Sequence, residues 1–156
     1  MELIKQLVFD NTNEIICPID RPGMIKIIAS GELAAEGKDH RLVIRLNGLN
    51  SSYKSFIHMS GDANEGEWGN PEEGIYTGRN GWGLDATFML DYTLTINNEY
   101  QKVVGSGTSS FALGDNRILG YKSHGFFVSG SPIFSVGLGI TNGGKVRIGD
   151  LLVYQM

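Results

Sequence analysis

The chain has 156 residues, enough for one domain with a sizeable core. Seventeen acidic against thirteen basic side chains give a net charge of −4, which argues against a protein whose main work is to coat nucleic acid or an anionic membrane. With 41% apolar residues, 22 glycines, 19% charged residues and only four prolines, the composition excludes a disordered chain and points to an all-β domain with many tight turns.

From the N-terminus, Met1 to Gln6 shows no basic stretch leading into an apolar run, so no secretory leader is expected. No uninterrupted apolar stretch approaches the roughly 20 residues of a membrane span, so no membrane insertion is expected. Ile4–Phe9 is the first expected strand. The segment Met1–Asp20 is open to two readings, a strand of the domain or an arm that adds a strand to a neighbouring subunit. Cys17, the only cysteine, allows neither an internal disulfide nor a thiolate metal cage. Its apolar surroundings, Ile15-Ile16-Cys17-Pro18-Ile19, read as a buried thiol in β structure.

Met24–Ala29, Arg41–Leu46 and Tyr53–Met59 are the next expected strands, with turns at Arg21-Pro22-Gly23 and Leu46-Asn47-Gly48. Gly31–Lys38 is the one stretch with the composition of a helical turn. A long segment rich in Gly, Asn and Glu, Gly61–Gly83, reads as a loop of the length that usually carries function. The clearest alternation runs from Ala86 to Ile96. It places Ala86, Phe88, Leu90, Tyr92, Leu94 and Ile96 on one face and threonines with Met89 and Asp91 on the other. Gly105-Ser106-Gly107-Thr108 reads as a hairpin loop, and Gly125–Val128 as a short strand. Ile133–Ile140 and Lys145–Tyr154 flank Thr141-Asn142-Gly143-Gly144 and read as a C-terminal hairpin. Phe134, Val136, Leu138 and Ile140 share one face there. Ser135, Gly137 and Gly139 form a small-residue face that would let a neighbouring sheet or subunit approach closely. Together these elements predict one domain, residues 1–156, an antiparallel β-sandwich or jelly roll of about eight or more short strands.

Few residues combine into chemistry. His40, His58 and His124 lack metal-ligand spacing, and Ser123-His124 places hydroxyl and imidazole on opposite faces of a strand. Asp62, Asn64, Gly66, Trp68, Asn70 and Glu73 fall on the spacing of a calcium loop. Glu67 occupies the position where such a loop needs glycine, and no helices flank the segment, so no metal or other cofactor is expected and Asp62, Asn64 and Glu73 remain the calcium candidates. Trp68, Tyr76 and Trp82 stand among amides and carboxylates with Arg79 and Asp85. Flat rings beside polar acceptors suit a sugar, whose C–H face stacks on the ring while its hydroxyls take hydrogen bonds; they equally suit an interface with another subunit. Paired carboxylates for glycoside hydrolysis could be drawn from Glu65, Glu67, Glu72, Glu73 and Asp85, with no spacing that marks a pair. No catalytic residue is assigned.

Two stretches resemble known families. Arg41–Tyr53 (Arg-Leu-Val-Ile-Arg-Leu-Asn-Gly-Leu-Asn-Ser-Ser-Tyr) resembles the strand, Leu-Asn-Gly turn and tyrosine of small jelly-roll structural proteins of tailed bacteriophages. The later order is similar too: a Gly- and Asn-rich excursion, the alternating strand Phe88–Ile96, Gly143-Gly144, Gly149-Asp150 and the ending Leu151-Leu152-Val153-Tyr154. Gln155 follows that tyrosine where the group carries glycine. The resemblance implies a virion component made in the host cytoplasm: a capsid decoration protein, or a tail-fibre or receptor-binding module. Its partners would be itself as a homotrimer, other virion proteins and a host-surface glycan, with no nucleic acid among them. Separately, Arg21–Gly31 is similar to the opening strand of small bacterial galactose-binding lectins, none of whose calcium or sugar residues has a counterpart here. The leading expectation is therefore a non-enzymatic virion protein, followed by a carbohydrate-binding module and then a glycoside hydrolase.

Overall fold

A computed structural model describes residues 1–62, 66–67, 73–99 and 102–156, with 66–67 described as backbone alone. The described residues form an all-β sandwich without helix. Its strands are β1 (Glu2–Thr12), β2 (Glu14–Pro18), β3 (Gly23–Ala34), β4 (Arg41–Leu46), β5 (Tyr53–Gly61), β6 (Gly66–Glu67), β7 (Ile75–Arg79), β8 (Ala86–Asn97), β9 (Lys102–Leu113), β10 (Ile118–Val128), β11 (Ser135–Ile140) and β12 (Lys145–Gln155). The larger sheet runs β1-β12-β3-β8-β9-β10-β5-β6 and the smaller β2-β11-β4-β7, every pair antiparallel. Without the β5–β6 and β9–β10 insertions, the order is β1-β12-β3-β8 in one sheet and β2-β11-β4-β7 in the other.

Alternation builds the core as expected along β8, whose Ala86, Phe88, Leu90, Tyr92, Leu94 and Ile96 are all buried. Phe9 and Cys17 are buried too, with β1 paired to β12 and β2 to β11. Tyr53, which opens β5, fastens the preceding turn. Its hydroxyl accepts the Leu46 N–H at 2.8 Å and donates to the Leu49 carbonyl at 2.8 Å, and burial pushes its pKa up to about 12.

Five expectations are corrected. The segment Gly61–Gly83 is not all loop: its described residues include β6 and β7, and β7 pairs with β4. Gly31–Lys38 is not helical: β3 continues to Ala34 and a tight turn follows, with Glu36 and Gly37 at φ of 52° and 78°. Gly105-Ser106-Gly107-Thr108 lies inside β9, where the absence of Cβ makes room for Tyr92. A Cβ on Gly107 would stand 2.3 Å from the Asp91 carbonyl oxygen and 2.6 Å from the Tyr92 ring. The expected C-terminal hairpin is a crossover, since β11 pairs with β2 and β4 while β12 pairs with β1 and β3 in the other sheet. Finally, Phe134 is exposed and precedes its strand. The small face of β11 is filled from within the chain: a Cβ on Gly139 would meet the Arg45 guanidinium at 2.9 Å, and one on Gly137 the Ile15 carbonyl oxygen at 2.9 Å. Arg45 is itself ion-paired with Glu14.

The extended sheet also wraps the edge of the smaller one. At β7, Ser55 Oγ accepts the Tyr76 N–H, Ser109 Oγ donates to the Thr77 carbonyl, Ser123 Oγ to the Tyr76 carbonyl and Tyr121 Oη to the Arg79 carbonyl. These hydroxyls from β5, β9 and β10 stand in for a ladder partner, which is why three serines are buried in an apolar interior.

Candidate functional site

One end of the sandwich gathers the β3–β4 loop, the β7–β8 loop, the β9–β10 turn and the β11–β12 turn. Two buried polar side chains tie the β3–β4, β7–β8 and β11–β12 connections together. Asn80 Oδ1 accepts the His40 N–H at 2.7 Å, while its Nδ2 donates to the carbonyls of Lys38 at 3.0 Å and Leu84 at 2.8 Å. The His40 ring lies between the carbonyl oxygens of Thr141 and Ala35, at 2.9 and 2.7 Å. Gly83 sits at φ 65°, and a Cβ there would stand 2.7 Å from the Gly37 carbonyl, so the β3–β4 and β7–β8 loops touch backbone to backbone.

Trp82 projects from this frame at a left-handed φ of 53° and is 52% exposed. The Arg117 guanidinium stacks over its ring at 3.6 Å and is held by Asp115 at 2.7 Å. Arg79 donates to Asp39 at 3.2 Å and to the Asn80 carbonyl at 2.9 Å, while Asp39 also accepts the Gly83 N–H at 2.8 Å. Asp85 accepts the Ala35 N–H at 2.8 Å and pairs with Arg147 at 2.7 Å. The register shift in β12 between Val146 and Ile148 falls at that arginine. The Ala35 N–H first, and Arg147 next, hold the Asp85 carboxyl below its ordinary pKa. Beside this frame a polar groove of about 360 Å³ is lined by Asp39, Arg41, Glu73, Arg79, Thr141 and Asn142.

Of the residues singled out from the sequence, Trp82, Arg79 and Asp85 meet at this end. Tyr76 does not: it is fully buried, with the Arg41 guanidinium 5.0 Å from its ring centroid, so it offers no face to a ligand. Trp68 and Asn64 lie outside the described residues, as do Glu65 and Glu72 and the side chain of Glu67. Asp62 is occupied in closing β5 against β10, its carboxylate accepting the Ile118 N–H at 2.7 Å. Glu73 lines the groove, and its carbonyl accepts from Arg45 at 2.9 Å. Among the described residues no three His, Cys, Asp or Glu side chains converge as a metal site. No local pattern marks Arg117, Asp39 or Asn80 as a site residue, and His40 enters the sequence only as a histidine without metal-ligand spacing, because the partners of these residues lie up to about 100 residues away in the chain. Chemically, the arrangement is a braced, half-exposed indole beside carboxylates that already hold partners, which suits binding more than proton transfer.

No family model matches the chain. No curated protein matches it either. Among solved structures, the CBM2 module of the evolved Dit of Lactobacillus casei BL23 phage J-1 aligns with 92% of this chain and 69% of its own, at 6% identity and a TM-score of 0.15. Ail, the attachment invasion locus protein of Yersinia pestis, solved with the heparin analogue sucrose octasulfate, aligns with 86% of this chain and all of its own, at 9% identity and a TM-score of 0.14. Scores this low establish neither a shared fold nor a shared function.

Proposed function

We propose that the chain is a non-enzymatic structural protein of a bacteriophage virion, made in the host cytoplasm, that assembles as a homotrimer and docks on other virion proteins. The observation that carries this reading is the edge strand β1. It is 11 residues long, it ends the larger sheet, and it carries exposed Leu3, opposite Tyr154, and exposed Val8, opposite Asp150. Glu2, Lys5, Gln6, Asp10 and Asn11 are exposed on the same strand, so its side chains are mixed, and it is the long unpaired backbone edge with these two apolar residues that a neighbouring chain would cover in an assembly. The strand order supports a jelly roll. Numbered along the chain without the two insertions, the sheets run 1-8-3-6 and 2-7-4-5, two interlocked Greek keys. The non-enzymatic reading is favoured at Asp85, whose carboxylate already takes the Ala35 N–H and the Arg147 guanidinium. Light scattering at micromolar concentration tests the assembly: a stable trimer is expected, and a monomer at every concentration overturns it.

A second reading rests on Trp82. Its indole is half exposed, with Arg117 over one face, and the face not covered by Arg117 can stack on a sugar ring. A glycan array separates the two: selective binding that disappears in Trp82→Ala supports the carbohydrate reading, whereas no selective binding leaves assembly alone.

A further inference from the structure

The outward face of β5, β9 and β10 has a composition that the whole chain does not. Alternation points Lys54, Phe56 and His58 of β5 away from the core, together with Lys122, His124 and Phe126 of β10 and Lys102 and Val104 of β9. The ladders set them in rows, with Lys54 opposite Phe126, Phe56 opposite His124, His58 opposite Lys122, and Val104 on the far side of Phe126. The Phe56 and His124 ring centroids are 5.2 Å apart, and Phe56, Phe126 and Val104 are 45%, 37% and 56% exposed. Ser60, Ser106, Thr108 and Ser110 fill neighbouring outward positions, and no carboxylate stands at any outward position of these three strands. The chain carries more acids than bases, yet three of its seven lysines and two of its three histidines share this face. The surface elsewhere is correspondingly more acidic.

We propose that this face binds an acidic polysaccharide, a sugar polymer bearing carboxylate or phosphate groups. Charge complementarity carries the choice. Lysine ammoniums and imidazole N–H groups donate to the anions. Phe56 and Phe126 occupy diagonal positions of the ladder, whose backbone spacing is roughly 7 Å, and their rings take the C–H faces of successive sugars. The serine and threonine hydroxyls meet sugar hydroxyls. A single-stranded nucleic acid presents a phosphate on every residue, and a chain of net charge −4 repels so dense an anion more than it does a sparsely charged sugar polymer. The face is separate from the Trp82 end, because Phe126 lies nine residues along β10 from Arg117, roughly 30 Å at strand rise. The inference goes beyond the assembly role and does not depend on it.

Fluorescence anisotropy of the intact protein with labelled hyaluronan, which carries a carboxylate on every second sugar, and a labelled phosphomannan of sparse phosphate content tests it, with dextran and an oligothymidylate alongside. At low salt, at least one acidic polymer is expected to bind and dextran is not. The double variants Lys54→Ala/Lys122→Ala and Phe56→Ala/Phe126→Ala should each weaken binding about tenfold, while Trp82→Ala leaves it unchanged. Every substituted side chain is exposed, and an unchanged melting temperature shows that each variant is folded. Three outcomes overturn the proposal: neither acidic polymer binds, the double variants bind as the parent does, or the oligothymidylate binds more tightly than both polymers, which would assign the face to nucleic acid.

Discussion

Asp85 shows how a single side chain is committed to structure at the loop end. Its carboxylate takes the Ala35 N–H and the Arg147 guanidinium, and its folded pKa is depressed by them in that order. A depressed carboxyl contributes stability that is present above its unfolded value, about 3.9, and that is lost as pH falls through the folded value. Asp85→Asn is therefore expected to melt below the parent at pH 7, with the gap closing under acid. A gap that persists undiminished to pH 2 in thermal melts would contradict that assignment. Cys17 makes the opposite case. It is fully buried, and burial pushes its thiol pKa up against the smaller lowering effect of Lys5. Native protein should label with a thiol reagent far more slowly than unfolded protein; equal rates would place the thiol at the surface.

Among the elements, β7 is the one whose existence depends most on its neighbours. It is five residues long, lies in a Gly- and Asn-rich stretch, and ends the smaller sheet. Its carbonyls and N–H groups on the open side are met by Ser55, Ser109, Ser123 and Tyr121 from the other sheet. Removing one hydroxyl leaves a buried carbonyl without its donor. Ser109→Ala and Ser123→Ala should each lower stability by about 1–3 kcal/mol in urea denaturation, with the circular dichroism spectrum preserved. An unchanged denaturation midpoint in both would show that β7 is held by apolar packing alone. In β9 the chain's local chemistry misleads. Gly105 and Gly107 signal a turn by composition, but their missing side chains are what let the Tyr92 ring lie over the strand, where its hydroxyl reaches Ser123 at 3.1 Å. That position within a strand was not legible from residues 105–108, because the group that needs the space comes from the neighbouring strand.

At the scale of the molecule, two sheets of unequal width leave the larger one with a free edge and a broad outer face. If β1 is the assembly edge, Leu3→Lys with Val8→Lys should convert the trimer to a monomer in light scattering while the circular dichroism spectrum and the melting transition persist. A trimer that survives both charges would move the contact elsewhere. These substitutions place charges on that edge and remove its exposed apolar contacts. They lie at outward positions, so the core that Phe9 anchors is untouched.

What the sequence determined by itself follows from periodicity and composition: an all-β chain, the buried face of Ala86–Ile96, the strand Arg41–Leu46 and the buried thiol of Cys17. Each depends on neighbours within a few residues, and alternation records those neighbours directly. Of the candidate site, Trp82, Arg79 and Asp85 were legible as residue types, whereas Tyr76 was not, because alternation does not say which face of a strand a second sheet will cover. Only the tertiary structure decided that the last two strands part into different sheets, that serines close the edge of β7, and that lysines, histidines and phenylalanines from three separate segments share one outward face. Those outcomes depend on which strands become neighbours. Strand pairing sums many weak contacts between residues far apart in the chain, and no local stretch of sequence encodes that sum.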